Sequence, residues 1–453
     1  MKSRVKEDTS NYLFDNKALA ALIIPLIIEQ LLATLVGMAD SIMIASVGEA
    51  AVSGVSLVDS VIILLFNVFS ALATGGAVVA GQFLGQNKKK EACDASNQLL
   101  YFTTLIAVVI MALCYLCKPF ILNTVFGQID ADVKAHANTY LMIVLTSIPF
   151  LALYCGGAAI FRAMGNSKVS MKVSLIMNAI NVIGNAVLIY GFHLGTAGVA
   201  IPTLVSRVVA SFLIVWLLTD EKHTLHIPKK FSLHFNWTMI KKILYIGVPN
   251  GMENSMFQLG KIIVLSLVST FGTSAIAANA VSNTVAGFQI LPGMAISLAI
   301  TTVVSRCIGA GDEKQAEYYT MKLLKITYAC VFVTVGIIFL AMPFILKLYN
   351  LSDATASEAT KILTFHGICG CIIWPVAFSL PSVFRAAGDV KFSMTVSILS
   401  MWVFRIMFSY VIGKYMGVGV FGIWVAMVID WIARAILFIW RYKSGRWKGR
   451  AVV

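Results

Sequence analysis

Apolar residues along this chain neither alternate with polar ones nor keep to one face of short helices. They run in blocks of twenty or more, parted by brief polar turns. A bilayer core offers no water to backbone amides, so a run of about 20 apolar residues reads as a membrane-spanning helix. Twelve blocks reach that length: 18–47, 50–82, 97–117, 137–161, 169–191, 196–219, 243–270, 275–305, 323–346, 362–384, 392–413 and 419–440. They predict an all-α polytopic membrane protein of twelve transmembrane helices. Several blocks exceed what a straight span needs, which implies tilt or kinks. Pro25, Pro149, Pro202, Pro249, Pro292, Pro375 and Pro381 stand inside blocks, where each removes a backbone hydrogen bond and can bend its helix.

Composition points the same way. Of 453 residues, 12% are charged and 59% hydrophobic, against about 25% charged in a soluble domain. The opening MKSRVKEDTSNYLFDNK lacks the short apolar core of a cleaved signal, so the first block is read as a retained span. The net charge of +14 matters through its placement. With the N-terminus in the cytoplasm, only Lys118, Lys134, Lys347, Lys361 and Lys414 fall outside, and only Arg207, Lys261, Arg405 and Arg434 within spans. This is the positive-inside asymmetry. It places both termini in the cytoplasm of a cell-membrane protein and removes nucleic acid as a partner. The cysteines lie mostly in apolar blocks with no clustered His or acid, so they read as small hydrophobes, not a zinc set. The turn GQNKKKEA fails the phosphate-loop spacing.

The chain also repeats. At an offset of 224, Pro25, Glu29, Gly48, Gly85 and Lys90 recur as Pro249, Glu253, Gly272, Gly309 and Lys314; at 223, FRAMGNSKVSM recurs as FRAAGDVKFSM. Six spans separate the copies, so both enter the membrane from one side, as parallel repeats. The expected organisation is a cytoplasmic segment 1–17, a first lobe 18–219, a polar linker 220–242, a second lobe 243–440 and a basic tail 441–453. His223, His226 and His234 read as solvated linker residues.

Charges inside spans are costly and mark function or pairing. In the first block only Glu29 and Asp40 are charged. Asn178, Asn181 and Asn185 are spaced i, i+3, i+7 and share a helical face, and Thr203 follows in the next span. With Asp40 they make an all-oxygen set suited to a hard cation such as Na⁺. The same set could hold a proton on Asp40, since burial favours the neutral acid, or serve as interhelical hydrogen-bond glue. Glu253 has Lys261 and Arg405 available as opposite charges in its own half. With Glu29 and Arg405 it forms a candidate substrate-facing set, or a structural ion pair. Asp430 and Arg434, i, i+4, read as a local ion pair, and Asp59 is given no role. Phe257, Phe288 and Met256 are apolar groups that could meet a large ligand.

These stretches, namely GMADSIMIA, GQFLGQ, FRAMGNSK, NVIGNAVLIYG, GTAGVAIPT, FRAAGDVK, MWVFRIMF and the closing GIWVAMVIDWIARAILFIWRYKSGRWKG, resemble in order those of the multidrug and toxic compound extrusion (MATE) family. The resemblance implies two six-helix lobes around a central cavity and antiport of organic, cationic compounds against H⁺ or Na⁺. It implies a cation-coupling site at Asp40, Asn181, Asn185 and Thr203, with Asn178 beside them, and Glu253 as a second-lobe candidate. If the coupling ion is Na⁺, its ligands are Asp40, Asn181 and Asn185. One departure is that 361–388 contains no carboxylate, where some branches carry one in the tenth helix. No cofactor is expected beyond the coupling ion; the partners are small organic substrates and membrane lipid, and the chain is a monomer. Two alternatives stand beside this: a lipid-linked oligosaccharide flippase of the same superfamily, which would want a more basic cavity, and a polytopic membrane enzyme, for which His366 lacks an acidic neighbour on its helix.

Overall fold

The computed structural model describes residues 12–127, 129–229, 234–349 and 351–453. The expected segment 1–17 up to residue 11, and linker residues 230–233, lie outside the described residues. The described residues are helical with no strand. We number the long helices α1 (Asn16–Ala45), α2 (Glu49–Gly85), α3 (Lys89–Leu116), α4 (Ala131–Thr146 and Ile148–Ala163), α5 (Ser167–Gly191), α6 (Ala197–Leu218), α7 (Trp237–Ser269), α8 (Thr273–Gly309), α9 (Glu313–Leu348), α10 (Asp353–Ala387), α11 (Val390–Tyr415) and α12 (Val420–Lys443).

All but two are single helices long and apolar enough to cross a bilayer. The halves of α4, bent by 49° ahead of Pro149, qualify together as an eleventh span. The exception is α7. Its 33 residues exceed a bilayer's need, but Asn250, Glu253, Asn254, Gln258 and Lys261 make its middle too polar to pass on composition.

Local chemistry sets the ends. Asp15 caps α1, accepting a hydrogen bond from the Ala18 amide at 2.6 Å. The repeat shows in the backbone: Gly48 between α1 and α2 and Gly272 between α7 and α8 both hold positive φ, 137° and 96°, a region L side chains avoid. Widened π-helical turns occur at Val187–Gly191 in α5, Pro375–Ser379 in α10 and Met401–Met407 in α11. Such turns insert a residue into the helix and often mark functional positions.

The first half has one apolar core, built on Val58, Phe69, Leu99, Leu141, Phe161 and Ile214. The second half has two. The halves interlock at the end carrying the α2–α3 and α8–α9 turns. There the start of α1 (Leu19, Leu22, Leu26) packs into a second-half core beside Ile300, Val303 and Tyr319. The start of α7 (Met239, Ile243, Ile246) joins the first-half core. The α2 and α8 backbones nearly touch: a Cβ on Gly309 would lie 2.0 Å from the Gln82 carbonyl oxygen, and one on Gly85 2.2 Å from that of Arg306.

Residues after α12 lie across this junction. Trp447 is wholly buried. Arg441 and Arg450 pair with Asp389 at 2.7 and 3.2 Å. The Val452 amide donates to Gln82 Oε1 at 2.9 Å, tying the segment to α2. Two of the three linker histidines differ from their solvated expectation: His223 packs edge-on against Phe161 at 5.2 Å, and both it and His226 are half-buried, while His234 is exposed.

Candidate functional site

Asp40 sits on α1, well away from the interlocked end. Asn181 and Asn185 on α5 converge on it, with Thr203 on α6 bonded to Asn181, and all three are buried. Asn185 Nδ2 donates to Asp40 Oδ1 at 2.7 Å. With its nitrogen toward the acid, the Asn181 amide donates to both Asp40 oxygens at 2.8 and 3.2 Å, and its oxygen accepts from the Thr203 hydroxyl at 3.1 Å. That orientation avoids setting an amide oxygen against a carboxylate. The helical spacing read from the sequence thus brings two of the predicted partners, Asn181 and Asn185, directly to Asp40, and Thr203 joins through Asn181. Asn178 is not brought in; its amide donates to Ser174 at 3.4 Å within α5.

Three residues without an assigned role complete the cluster. Asp59 on α2 accepts from the Tyr140 hydroxyl at 2.9 Å. Arg207 on α6 donates to Ser147 Oγ at 2.7 Å. Asp59 and Arg207 both lie within Coulombic reach of Asp40. An acid inside the second block was the only signal for Asp59. Nothing in the spacing announced that α2, α4 and α6 present it, Tyr140 and Arg207 to α1.

The candidate acids Glu29 and Glu253 each stand in an ion pair. Glu29 lies 3.7 Å from Arg162 and accepts from Ser170 at 2.8 Å. In the second half Glu253 lies 3.6 Å from Arg385 and accepts from Ser397 at 2.8 Å and Ser393 at 3.3 Å. Arg162 and Ser170 recur as Arg385 and Ser393 at the offset of 223, so the repeat carries the pair with it. The partner of Glu253 is therefore Arg385, in place of Lys261 or Arg405. Removing one member of a buried pair strands the other, at about 3–5 kcal/mol. Arg162→Met is expected to lower thermal stability in detergent by about 3 kcal/mol, and adding Glu29→Gln to recover most of it. A melting curve for Arg162→Met indistinguishable from the parent's would contradict the pairing.

In the second half Asp430 and Arg434 form the expected ion pair at 2.9 Å, both buried. Arg405 stacks on Phe257 at 5.3 Å, and Arg434 on Phe257 and Phe378 at 5.8 and 5.3 Å. His366 on α10 bonds Gln289 and packs between Trp424 and Trp431. Among the described residues no three His, Cys, Asp or Glu side chains could hold a metal together. A cavity of about 1040 Å³ lies between α1, α8 and α9, lined mainly by apolar groups including Leu31, Met38, Phe288 and Ile338, with Thr34 and Ser41 as polar points. Phe288 meets the expectation of an apolar lining; Met256 is not part of it.

A family model described as MatE matches residues 25–187 and again 249–411. The two matches are offset by the 224 residues of the internal repeat. Over 94% of both chains the sequence is 28% identical to an uncharacterized transporter, YisQ, of Bacillus subtilis. It is 26% identical to a probable multidrug resistance protein, NorM, of Thermotoga maritima, over 96% of this chain and 94% of that one. The fold matches a solved structure of an outward-facing multidrug resistance MATE family transporter of the MOP superfamily, with a TM-score of 0.88 at 21% identity over 95% of this chain and 96% of that one.

Proposed function

Since the chain belongs to the MatE family of membrane transporters, we propose that it is an antiporter that exports organic compounds, cationic ones among them, in exchange for H⁺ or Na⁺. It works as a monomer in the cell membrane, with both termini cytoplasmic, so the interlocked end is the cytoplasmic one. The observation that carries the coupling is the convergence of Asn181 and Asn185 on Asp40, with Thr203 bonded to Asn181 behind them.

Asp40 is held by two amide donors, Asn185 at 2.7 Å and Asn181 at 2.8 Å. A hard cation prefers oxygen ligands. The Asn185 side-chain oxygen is buried without a partner among the described residues. Rotating the Asn181 amide would turn a second oxygen toward Asp40. A proton needs less: it neutralises Asp40 and weakens the pull of both amides. Either occupant removes the charge that ties α1 to α5. The loosening changes the affinity of the first half for a cationic substrate, and the two halves then rock about the α2–α8 seam. A coupling ion drives transport only if its affinity differs between the two states.

A flippase reading wants a uniformly basic cavity, and the acids around Asp40 disfavour it. An imposed pH gradient and, separately, an imposed Na⁺ gradient across proteoliposomes holding a cationic dye test the coupling. One of the two is expected to drive dye movement against its own gradient. Dye movement unaffected by both would sink the antiport reading.

A further inference from the structure

The segment after α12 is fastened to both halves, and unequally. Its first part belongs to the second half. Trp447 is wholly buried in a second-half core with Phe384 and Phe438, and stacks on Tyr442 at 5.4 Å. Lys448 pairs with Glu317 of α9 at 2.6 Å, and the Gly449 amide donates to Glu313 at 3.1 Å. Arg450 reaches Asp389, a buried acid that also takes two hydrogen bonds from Arg441, at 2.7 and 3.0 Å. The main chain runs close to the α10–α11 turn: a Cβ on Gly388 would lie 2.3 Å from the Arg450 carbonyl oxygen. The segment then crosses to the first half. The Val452 amide donates to Gln82 Oε1 at 2.9 Å, and Gln86 Nε2 donates to the Val453 main-chain oxygen at 3.0 Å. Val452 and Val453 pack against the first-half core. Gln82 is wholly buried, and its amide nitrogen donates to the Ala386 carbonyl oxygen at 2.8 Å. Both ends of that one amide are thus committed across the seam.

The repeat shows that this crossing is peculiar to the second copy. The linker after α6 is the counterpart of the segment after α12. His223 lies against Phe161 there, as Trp447 lies in the core of Phe384, and Phe161 and Phe384 are 223 residues apart. Linker residues Leu225 and Ile227 stay in the core of their own half. Asp389, which anchors the crossing, stands where the first half has Asn166.

The α2 and α8 helices cannot part at this end while the segment grips both halves. Its hold on the second half rests on a buried Trp and on charge-assisted bonds, which are the stronger kind. Its hold on the first rests on two neutral hydrogen bonds and two valines, each hydrogen bond worth only about 1 kcal/mol net. The weaker side lets go first. We infer that residues 450–453 are a latch: they hold the interlocked end closed, and they release α2 and stay with the second half when the halves separate there. This rests on the rocking of the halves proposed above and adds the element that restrains it.

Spin labels on the full chain in nanodiscs at Lys90→Cys and Lys314→Cys, in the two turns of that end, test it. Arg450→Glu sets a carboxylate against Asp389 and repels the segment. Val452→Pro removes the amide donor to Gln82. Each is expected to lengthen the label distance by raising the separated population about tenfold. The Arg450 side chain is half exposed, and should Arg450→Glu nevertheless fail to fold, Val452→Pro decides. Arg446→Gln is expected to leave the distance unchanged, since that guanidinium lies over Trp440 of its own half at 5.4 Å. The same lengthening in Arg446→Gln would mean general loosening and would overturn the latch. Gly309→Val, which forces the α2 and α8 backbones apart, separates the remaining outcomes. Parent-like distances in Arg450→Glu and Val452→Pro while Gly309→Val lengthens them overturn the latch and leave the rocking in place. Parent-like distances in all three overturn both.

Discussion

Asp40→Asn is expected to reduce ion-driven export to about 1% of the parent rate or less while leaving a folded protein. The substitution keeps the shape of the side chain. Its amide oxygen can still accept from Asn185, which donates to Asp40 Oδ1 at 2.7 Å, so the packing of α1 against α5 survives. What is lost is the charge. A neutral amide releases no proton and attracts no Na⁺, so the site no longer distinguishes the ion-bound from the ion-free state. Reversing a two-state equilibrium from 1:99 to 99:1 takes about 5.5 kcal/mol of differential affinity. Without it the gradient does no work. The variant mimics the neutralised acid and should bind substrate with the affinity of the ion-occupied parent, whatever the gradient, which separates coupling from recognition. Dye efflux under an imposed ion gradient reads the first and equilibrium dye binding the second. Parent-like export from a well-folded Asp40→Asn would rule out this acid as the coupling group. Asn185→Ala should cost less, about tenfold, because it removes one donor and leaves the charge in place.

The cluster around Asp40 was half legible in the sequence. An i, i+3, i+7 spacing fixes a helical face, and an acid in an apolar block demands a partner, so Asn181 and Asn185 followed. Helical spacing says nothing about which face a different helix turns inward. Asp59, Tyr140 and Arg207 come from three separate helices and meet only through packing. The same limit explains Glu253. Lys261 and Arg405 lay in the right half, but the repeat held the better clue: Arg162 and Arg385 occupy equivalent places in FRAMGNSK and FRAAGDVK, and each pairs with the acid of its own half.

The spans were read from the length of apolar runs, which is robust because the bilayer admits few alternatives. α7 was recovered by length, though its polar middle weakens its hydropathy. The interlock was invisible to that reading. Apolar residues at the start of α1 look the same whether they pack on their own half or on the other, and only the structure seats Leu22 and Leu26 beside Tyr319.

Gly309→Val is expected to hold the interlocked end apart and to abolish export. Gly85 and Gly309 are repeat partners. Each ends the second helix of its half, and each lies against the backbone of the other helix. A Cβ on Gly309 would sit 2.0 Å from the Gln82 carbonyl oxygen and 2.6 Å from Gln82 Cα. These are backbone atoms of a helix and cannot swing aside as a flexible side chain would. Overpacking costs about 1–3 kcal/mol where neighbours can shift, and more where they cannot. The form with α2 and α8 in contact should therefore lose about 10- to 100-fold in population relative to the form in which they part. Alternating access needs both forms, so a transporter confined to one binds substrate without moving it. Spin labels at Lys90→Cys and Lys314→Cys, both exposed and repeat-equivalent, report the separation of the two turns. The valine should shift the distance distribution to longer values. Gly287→Ala, on the same helix with nothing within 4 Å of its Cβ position, should leave both distance and export unchanged. An unchanged distance distribution in Gly309→Val with full export would mean that the α2–α8 contact is not a gate.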